Sequence, residues 1–280
     1  MAILLQDVCT HLEQLAPLPL AARWDNTGLL VGDHGRTVER VMLCLTVTDD
    51  VVREAIHESA ELLVTHHPLP FRPLNSLTTS STVGRRLLQL IEAKVAVYSL
   101  HTRWDSAQSG INQQWAEMLE LQEIQPLIDR PDNPIGPCGS GRCGRLPAPQ
   151  PAWRVVQSVL TRLQLAGASF AGPLDRQVER VALACGAGDD FLYPAIEADC
   201  QLLVTGEARF HTAVEAELNG IGLLAIGHYA SERWGVERLA EVLQQAFPQL
   251  EIWASRLEHD SWQPVQRQAT DNREEPPLLE

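Results

Sequence analysis

Val38–Thr65 reads VERVMLCLTVTDDVVREAIHESAELLVT, and Val178–Thr205 repeats the pattern as VERVALACGAGDDFLYPAIEADCQLLVT. The two copies align without a gap at an offset of 140, and 13 of their 28 positions are identical. Each copy is typical of a strand, a helix capped by the Asp-Asp pair, and a second buried strand. The repeat predicts an α/β protein of two related α/β/α lobes from an internal duplication, with largely parallel sheets and a metal site in the cleft between them.

Working outward from the repeat, alternating helical and strand periodicities extend over both halves of the chain. We predict a first lobe over residues 1–125 and a second lobe over residues 152–262, which ends in an edge strand at Ile252–Trp253. Residues 126–151 are rich in Pro and Gly and predict an irregular connection. Residues 263–280 are polar and Pro-rich, and this composition predicts a disordered tail.

The composition of the chain limits the kinds of molecule that the protein is expected to bind. The formal net charge of −14 and the pI near 5.1 argue against a non-specific grip on nucleic acid or an anionic membrane, although they permit a nucleotide substrate. We expect no membrane span, because no apolar stretch of about 18 residues occurs. The N-terminus has no basic leader, and six scattered cysteines predict free thiols, so we expect a cytoplasmic protein.

The residues best suited to chemistry follow predicted strands, where parallel α/β sheets gather their sites. His66 and His67 come directly after Leu62–Thr65, and His228 with Glu232 begins a helix after another apolar run. The alternatives are an incidental His pair and an ordinary i,i+4 polar pair on a solvated helix face. Asp105 follows a third strand, where it could equally be a loop or capping residue.

Taken together, these five side chains have the composition of a metal site. Mixed imidazole and carboxylate ligation suits Fe, Mn, Zn, Co or Ni, and Glu232 is able to bridge two ions. We therefore predict two divalent metal ions per chain, about 3.5–4 Å apart, which would generate a hydroxide nucleophile and polarise a substrate oxygen.

Other polar residues have supporting roles in this hypothesis. His101, four residues before Asp105, corresponds to His228 by repeat and is predicted to orient the site by a hydrogen bond from behind the ligands. Glu207 and His211 follow the second-copy strand and are candidate general acid or base residues, with a purely structural role as the alternative. The segment Asp25–Gly28 has the composition of a turn.

Five motifs give the chain a resemblance to the GTP cyclohydrolase I type 2 homologue family, also called Nif-three-like proteins. They occur in the family's order and span residues 24–232. The motifs are Trp24–Gly32 (WDNTGLLVG), Leu63–Phe71 (LVTHHPLPF), Tyr98–Asp105 (YSLHTRWD), Thr205–His211 (TGEARFH) and Gly227–Glu232 (GHYASE).

The resemblance implies a dinuclear metal centre between two α/β lobes, with Glu232 bridging and the same five ligands that the spacing selects. It implies that Asp25 and Asn26 support the site from behind. It also implies a ring-shaped homohexamer in the short form of the family, which has no domain inserted between the lobes. Arg103 and Trp104 replace the family's usual Asn and aliphatic residue, and we expect this bulky pair to reshape substrate access.

Three functions remain open on the sequence. The leading hypothesis is a metal-dependent hydrolase that acts on a nucleotide or related heterocycle, in line with the family's name. A phosphoesterase is the sibling hypothesis, because paired metals also suit displacement at phosphorus. The hypothesis from another class is a non-catalytic metal-binding adaptor or regulator, since ligands alone do not establish turnover.

Overall fold

The computed structural model describes residues 2–129 and 138–263. The strands of these residues are β1 (Ile3–Leu4), β2 (Gly28–Val31), β3 (Thr37–Val38), β4 (Arg40–Cys44), β5 (Leu62–Thr65), β6 (Ala96–Ser99), β7 (Gln122–Asp129), β8 (Gly139–Pro151), β9 (Ser169–Ala171), β10 (Gln177–Ala187), β11 (Leu202–Glu207), β12 (Gly222–Ala225) and β13 (Glu251–Ala254).

The α-helices in the same part of the chain vary from one turn to about five. They are α1 (Leu5–Leu15), α2 (Asp49–His57), α3 (Thr82–Glu92), α4 (Thr102–Ser106), α5 (Ile111–Met118), α6 (Ala152–Arg162), α7 (Leu192–Glu197), α8 (Phe210–Leu218) and α9 (His228–Ala246). No helix of the described residues is both long enough and apolar enough to cross a bilayer.

A five-stranded sheet with the order β13-β4-β5-β6-β2 carries the first copy of the repeat. Its first four strands are parallel, and β2 pairs with β6 in the antiparallel direction. Strands β5 and β6 are buried along their whole length, as expected for parallel strands covered on both faces. The capping residue of helix α2 is Thr48 and not the predicted Asp49 or Asp50, because the side chain of Thr48 accepts the backbone N–H of Val51 at 3.2 Å.

A six-stranded mixed sheet with the order β7-β8-β10-β11-β12-β9 carries the second copy. Only β10, β11 and β12 are parallel to one another. The pairing of β4 with β5 joins Val41 to Leu62, and the pairing of β10 with β11 joins Val181 to Leu202. The offset of 140 in the sequence is therefore kept in the strand register.

The predicted irregular connection over residues 126–151 is wrong for the residues that the structure describes. Most of them form β7 and β8, which pair with each other, and β8 also pairs with β10. Close packing explains the glycines, since a Cβ at Gly139 would lie 2.2 Å from the carbonyl oxygen of Ile128. Pro147 and Pro149 fall where the register between β8 and β10 shifts, so no ladder bond is lost through their missing N–H groups.

Sheet membership also departs from the predicted lobe boundaries. Strand β7 begins at Gln122, before the boundary at 125, and belongs to the sheet of the second lobe. The predicted edge strand is present as β13, but it pairs with β4 in the sheet of the first lobe. Residues 264–280, nearly all of the expected disordered tail, lie outside the described residues.

Hydrogen bonds to the buried carboxylate of Glu54 join the segment that follows β13 to helix α2. Glu54 is 5% exposed and accepts hydrogen bonds from the hydroxyl of Ser255 and the backbone N–H groups of Arg256 and Leu257. Burial alone would raise the pKa of Glu54, but these hydrogen bonds outweigh burial and lower that pKa below its usual value. The ionised carboxylate is therefore the form that the fold stabilises.

We expect Glu54→Gln to lower the free energy of unfolding at pH 7 by about 1–3 kcal/mol. The amide of Gln replaces one accepting oxygen by an NH2 donor, which faces backbone N–H donors and cannot bond to them. A depressed folded-state pKa contributes stability above the unfolded value and loses it as the pH falls. The difference from wild type should therefore shrink below about pH 4.3. Urea unfolding from pH 7 to pH 3 measures this, with Glu92→Gln, an exposed position, as the control. A pH-independent difference would contradict the assignment.

Candidate metal centre

The His-His pair stands at the carboxyl end of β5, where the ladder with the neighbouring strand continues for two residues. The backbone N–H of His66 donates to the carbonyl of Cys44 at 3.0 Å, and that of His67 donates to Leu45 at 2.8 Å. The two rings lie 5.0 Å apart, centroid to centroid. His66 is buried and His67 is about a quarter exposed, so the pair runs from the interior to the surface.

The second sheet brings its own pair to the same place. His228 is the first residue of α9, and its Nε2 lies 3.1 Å from Oε2 of Glu232, one turn later. The same carboxylate oxygen lies 3.1 Å from Nε2 of His67, whose ring nitrogen is 3.4 Å from that of His228. The possible ligand atoms of these three residues all lie within 4.8 Å of one another.

Asp105 completes the set of five, from the short helix α4 rather than from the loop that the sequence predicts. Its Oδ1 lies 3.6 Å from Nε2 of His66, while Oε1 of Glu232 lies 3.8 Å from the same nitrogen. These separations are too long for hydrogen bonds. The thiol of Cys185 donates to Oδ1 of Asp105 at 3.2 Å. The five predicted ligands therefore face one small volume.

Asp25 and His101 support this group from behind. Nδ1 of His101 lies 2.6 Å from Oδ1 of Asp25, whose other oxygen accepts the backbone N–H of Thr102 at 3.1 Å and starts α4. Burial would raise the pKa of Asp25, but the bonds from His101 and Thr102 lower it. The ring nitrogens of His101, His66 and His67 lie within 4.8 Å of one another, so the geometry also suits His101 as a further ligand.

The remaining predicted residues lie at different distances from the cluster. Oε1 of Glu207 lies 3.0 Å from Nδ1 of His228, an arrangement that orients the ring. The side-chain amide of Asn26 donates to the carbonyl of Pro70 at 2.7 Å and joins the turn to the loop after the His pair. His211 is exposed in α8, with the ring of Phe210 beside it.

The expectation for Arg103 and Trp104 is wrong. Both side chains are buried, with exposed fractions of 0% and 2%. Nε of Arg103 donates to the carbonyl of Ala16 at 2.7 Å, and Nη1 donates to the hydroxyl of Tyr98 at 3.2 Å. The pair packs into the core beneath α4 because helix geometry turns positions 103 and 104 away from the face that carries Asp105.

Sequence reasoning missed two contacts to the ligands and one steric requirement. The hydroxyl of Thr46 lies 2.7 Å from Nδ1 of His67 and fixes which nitrogen faces the cluster. Gly186 has φ +66°, and a Cβ there would lie 2.4 Å from Oε1 of Glu232. Thr46 follows β4, while Cys185 and Gly186 occupy the matching positions near the end of β10. All three positions lie at strand ends, as the histidines do, but their residue types do not by themselves indicate a site.

Comparison with known proteins identifies the family of this chain. A family model described as Duf34/NIF3 (NGG1p interacting factor 3) matches residues 3–261. The chain belongs to the Duf34/NIF3 family.

Its relatives share both sequence and fold. A Clostridium perfringens protein named GTP cyclohydrolase 1 type 2 homolog is 32% identical over 233 residues, which cover 83% of this chain and 87% of the relative. A Streptomyces coelicolor protein of the same name is 31% identical, with 92% and 93% covered. The crystal structure of a Bacillus cereus protein related to NIF3 has a TM-score of 0.84 at 22% identity, covering 95% of this chain and all of that one.

Burial and neighbouring charges together shift the pKa values of the clustered side chains. Burial alone would lower the pKa of His66, but the carboxylates of Asp105 and Glu232 raise it above its usual value. Burial lowers the pKa of His67 to about 4, whereas the neighbouring carboxylate of Glu232 raises that of His228 to about 9. Despite burial, the neighbouring imidazoles hold the pKa of Glu232 well below its ordinary range. The carboxylate is thus ionised and ready to ligate.

Unpartnered polar atoms indicate that the cluster fits metal ions. Within residues 2–129 and 138–263, both ring nitrogens of His66 and Oε2 of Glu232 are buried and have no hydrogen-bond partner. Such atoms are costly to bury unless they are paired or coordinate an ion. Nitrogen and carboxylate oxygen are also the donors that Zn, Fe and Mn take. The residues present therefore suit divalent ions.

A cavity and a pair of exposed aromatic rings border the cluster. A cavity of about 160 Å³ is lined by His67 and His228, and its outer wall includes Trp262. The exposed rings of Trp24 and Phe71 lie 5.7 and 5.9 Å, centroid to centroid, from the ring of His101.

Proposed function

We propose that this protein is a metal-dependent hydrolase whose centre holds two divalent ions in a cleft between two lobes. The observation that carries the proposal is the pair of buried, unpartnered ligand groups on His66 and Glu232. Glu232 would bridge, with His66 and Asp105 on one side and His67 and His228 on the other. Ions bound there would polarise a substrate oxygen and acidify a water.

The chain's own side chains prepare this chemistry. Thr46 and Glu207 hold the Nδ1 atoms of His67 and His228, so that each Nε2 lone pair faces the cluster. Cys185 fixes Oδ1 of Asp105 in the same way. We propose Glu207 as a proton acceptor at the exposed edge, and His211 as a second candidate for proton transfer.

A nucleotide or related heterocycle is the substrate class that we propose. Support comes from the exposed aromatic pair Trp24 and Phe71 beside His101, since aromatic rings stack on planar bases, and from the relatives' name, GTP cyclohydrolase 1 type 2 homolog. A phosphoesterase would use the same ions, and a non-catalytic metal-binding adaptor would use the same ligands without turnover.

We further propose that the two lobes arose by internal duplication and that chains assemble into a ring-shaped hexamer. The matching registers of β4 with β5 and of β10 with β11 support the duplication. The hexamer rests on the family resemblance, and light scattering on the purified chain would measure the assembly size directly.

We expect the protein purified without chelator to carry about two equivalents of Fe, Mn, Zn or a similar ion per chain. Elemental analysis measures this content. With GTP as the probe, a formylated pyrimidine product would support ring-opening hydrolysis, whereas release of phosphate would favour the phosphoesterase. Full metal content with no turnover on either assay would favour the adaptor. No metal even after reconstitution would overturn the proposed centre.

A further inference from the structure

Two cysteines that the metal centre does not use lie together in the second sheet. Cys143 is in β8, where its Cα partner is Ala182 of β10, and Cys200 lies two residues before the start of β11. Both side chains are buried in the same apolar cluster, with exposed fractions of 0% and 6%. Each thiol shifts the pKa of the other, and the charge of Arg180 acts on both. The two sulfur atoms are therefore neighbours although 57 positions separate them in the sequence.

Polar side chains surround the buried thiol of Cys143, whereas a thiol that only fills space in a core needs apolar neighbours alone. The side-chain amide of Gln125 donates to its sulfur at 3.6 Å. Nη2 of Arg180 donates to the same sulfur at 3.8 Å. Two donors, one of them positively charged, thus converge on the sulfur of Cys143, while the Cys200 thiol donates to the carbonyl of Ala198 at 3.8 Å. Such an electropositive setting is typical of reactive cysteines rather than of inert ones.

We propose that Cys143 and Cys200 form a redox-active dithiol that a peroxide converts to a disulfide. The sulfur of Cys143 attacks one peroxide oxygen, the O–O bond breaks, and the departing oxygen leaves as water after it takes a proton. The sulfur of Cys200 then attacks the sulfenic acid on Cys143, and a second water leaves as the S–S bond forms. Two thiols and one hydrogen peroxide thus give one disulfide and two waters.

Access and ionisation both suit this assignment. A cavity of about 170 Å³ reaches Cys200 between Arg176 and Gly220, so the Cys200 side of the pair is open to a small oxidant. The neighbouring thiol of Cys200, together with the hydrogen bonds from Gln125 and Arg180, lowers the pKa of Cys143 to about 6 against the effect of burial. In contrast, burial raises the pKa of Cys9 to about 12. The same oxidant should therefore distinguish these two buried cysteines.

The test treats the reduced full-length protein with hydrogen peroxide at pH 7 and maps the products by non-reducing peptide mass spectrometry. We expect a crosslinked peptide pair containing Cys143 and Cys200, about 2 Da lighter than the two thiols, that a dithiol reductant reverses. Cys143→Ser should slow thiol loss about tenfold or more, because burial keeps thiols such as Cys9 and Cys185 protonated. Cys200→Ser should still lose the Cys143 thiol but stop at the sulfenic acid, which dimedone traps.

Two control variants keep the result interpretable. Cys9→Ser should react as wild type does, and Arg180→Gln should move the pH midpoint of Cys143 oxidation upward without changing the products. Oxidation spread evenly over the cysteines, or a persistent wild-type rate in Cys143→Ser, would overturn the proposal. Because the cluster lies apart from the metal ligands, the metal-free protein is expected to form the same disulfide. This result does not depend on the proposed hydrolase.

Discussion

Glu232→Ala is expected to remove almost all metal from the protein. One oxygen of this carboxylate lies 3.1 Å from both His67 and His228, and the other lies 3.8 Å from His66. In the proposed centre this carboxylate bridges the two ions, so both would lose a ligand when the side chain is shortened. Because even indirect partners of metal ligands change affinity about 10–100-fold, we expect the loss of a bridge to cost about 100-fold or more. Competition with a chromophoric chelator measures the affinity, and elemental analysis measures the content.

The control for this variant lies on the same helix. Glu237 is 60% exposed and pairs with Arg233 at 3.2 Å, so Glu237→Gln should keep its full metal content. Glu232→Gln retains the shape of the side chain but not its charge, and it should also lose metal. Thermal melting in the presence of chelator checks that each variant folds. A folded Glu232→Ala protein with two ions per chain would refute the bridging role.

Much of the fold is predictable because apolar runs such as Leu62–Thr65 fit few structures besides a buried strand. These strands are buried on both faces, and burial leaves a continuous hydrophobic signal. Strands β7 and β8 were not predictable in the same way, because pairing between neighbouring strands decides them and their composition is that of a loop. Strand β13 was recognised, but its place beside β4 depends on tertiary contacts that no local pattern encodes.

The site was predictable for a related reason. His66 and His67 follow a strand of the first sheet and His228 follows one of the second, and parallel strands bring their carboxyl ends to one edge of each sheet. The direction of a side chain on a short helix was not predictable, and this is why Arg103 was expected at the site. Thr46 was missed because a Thr after a strand is ordinary, and only its distance of 2.7 Å from His67 gives it a role.

Arg142→Met is expected to lower the free energy of unfolding by about 3–5 kcal/mol, because it leaves several buried hydrogen-bond acceptors without a donor. The guanidinium is 1% exposed, and burial lowers its pKa from the usual value. It donates to the carbonyl oxygens of Gly139 and Gly141 at 2.8 Å. Further donors reach Ala107 at 2.8 Å and the side-chain oxygen of Gln113 at 2.9 Å. This one side chain thus joins β8 to the segment that contains Asp105.

Urea unfolding in excess chelator measures this effect without the contribution of bound metal. Arg145 is the matched control on the same strand, since it is 38% exposed and pairs with Glu123 at 3.2 Å. Arg145→Gln should therefore cost less than about 1 kcal/mol. Arg142→Lys keeps the charge but loses the planar fork, and it should fall between the two. Equal stability of Arg142→Met and Arg145→Gln would show that the buried guanidinium does not hold Asp105 and β8 together.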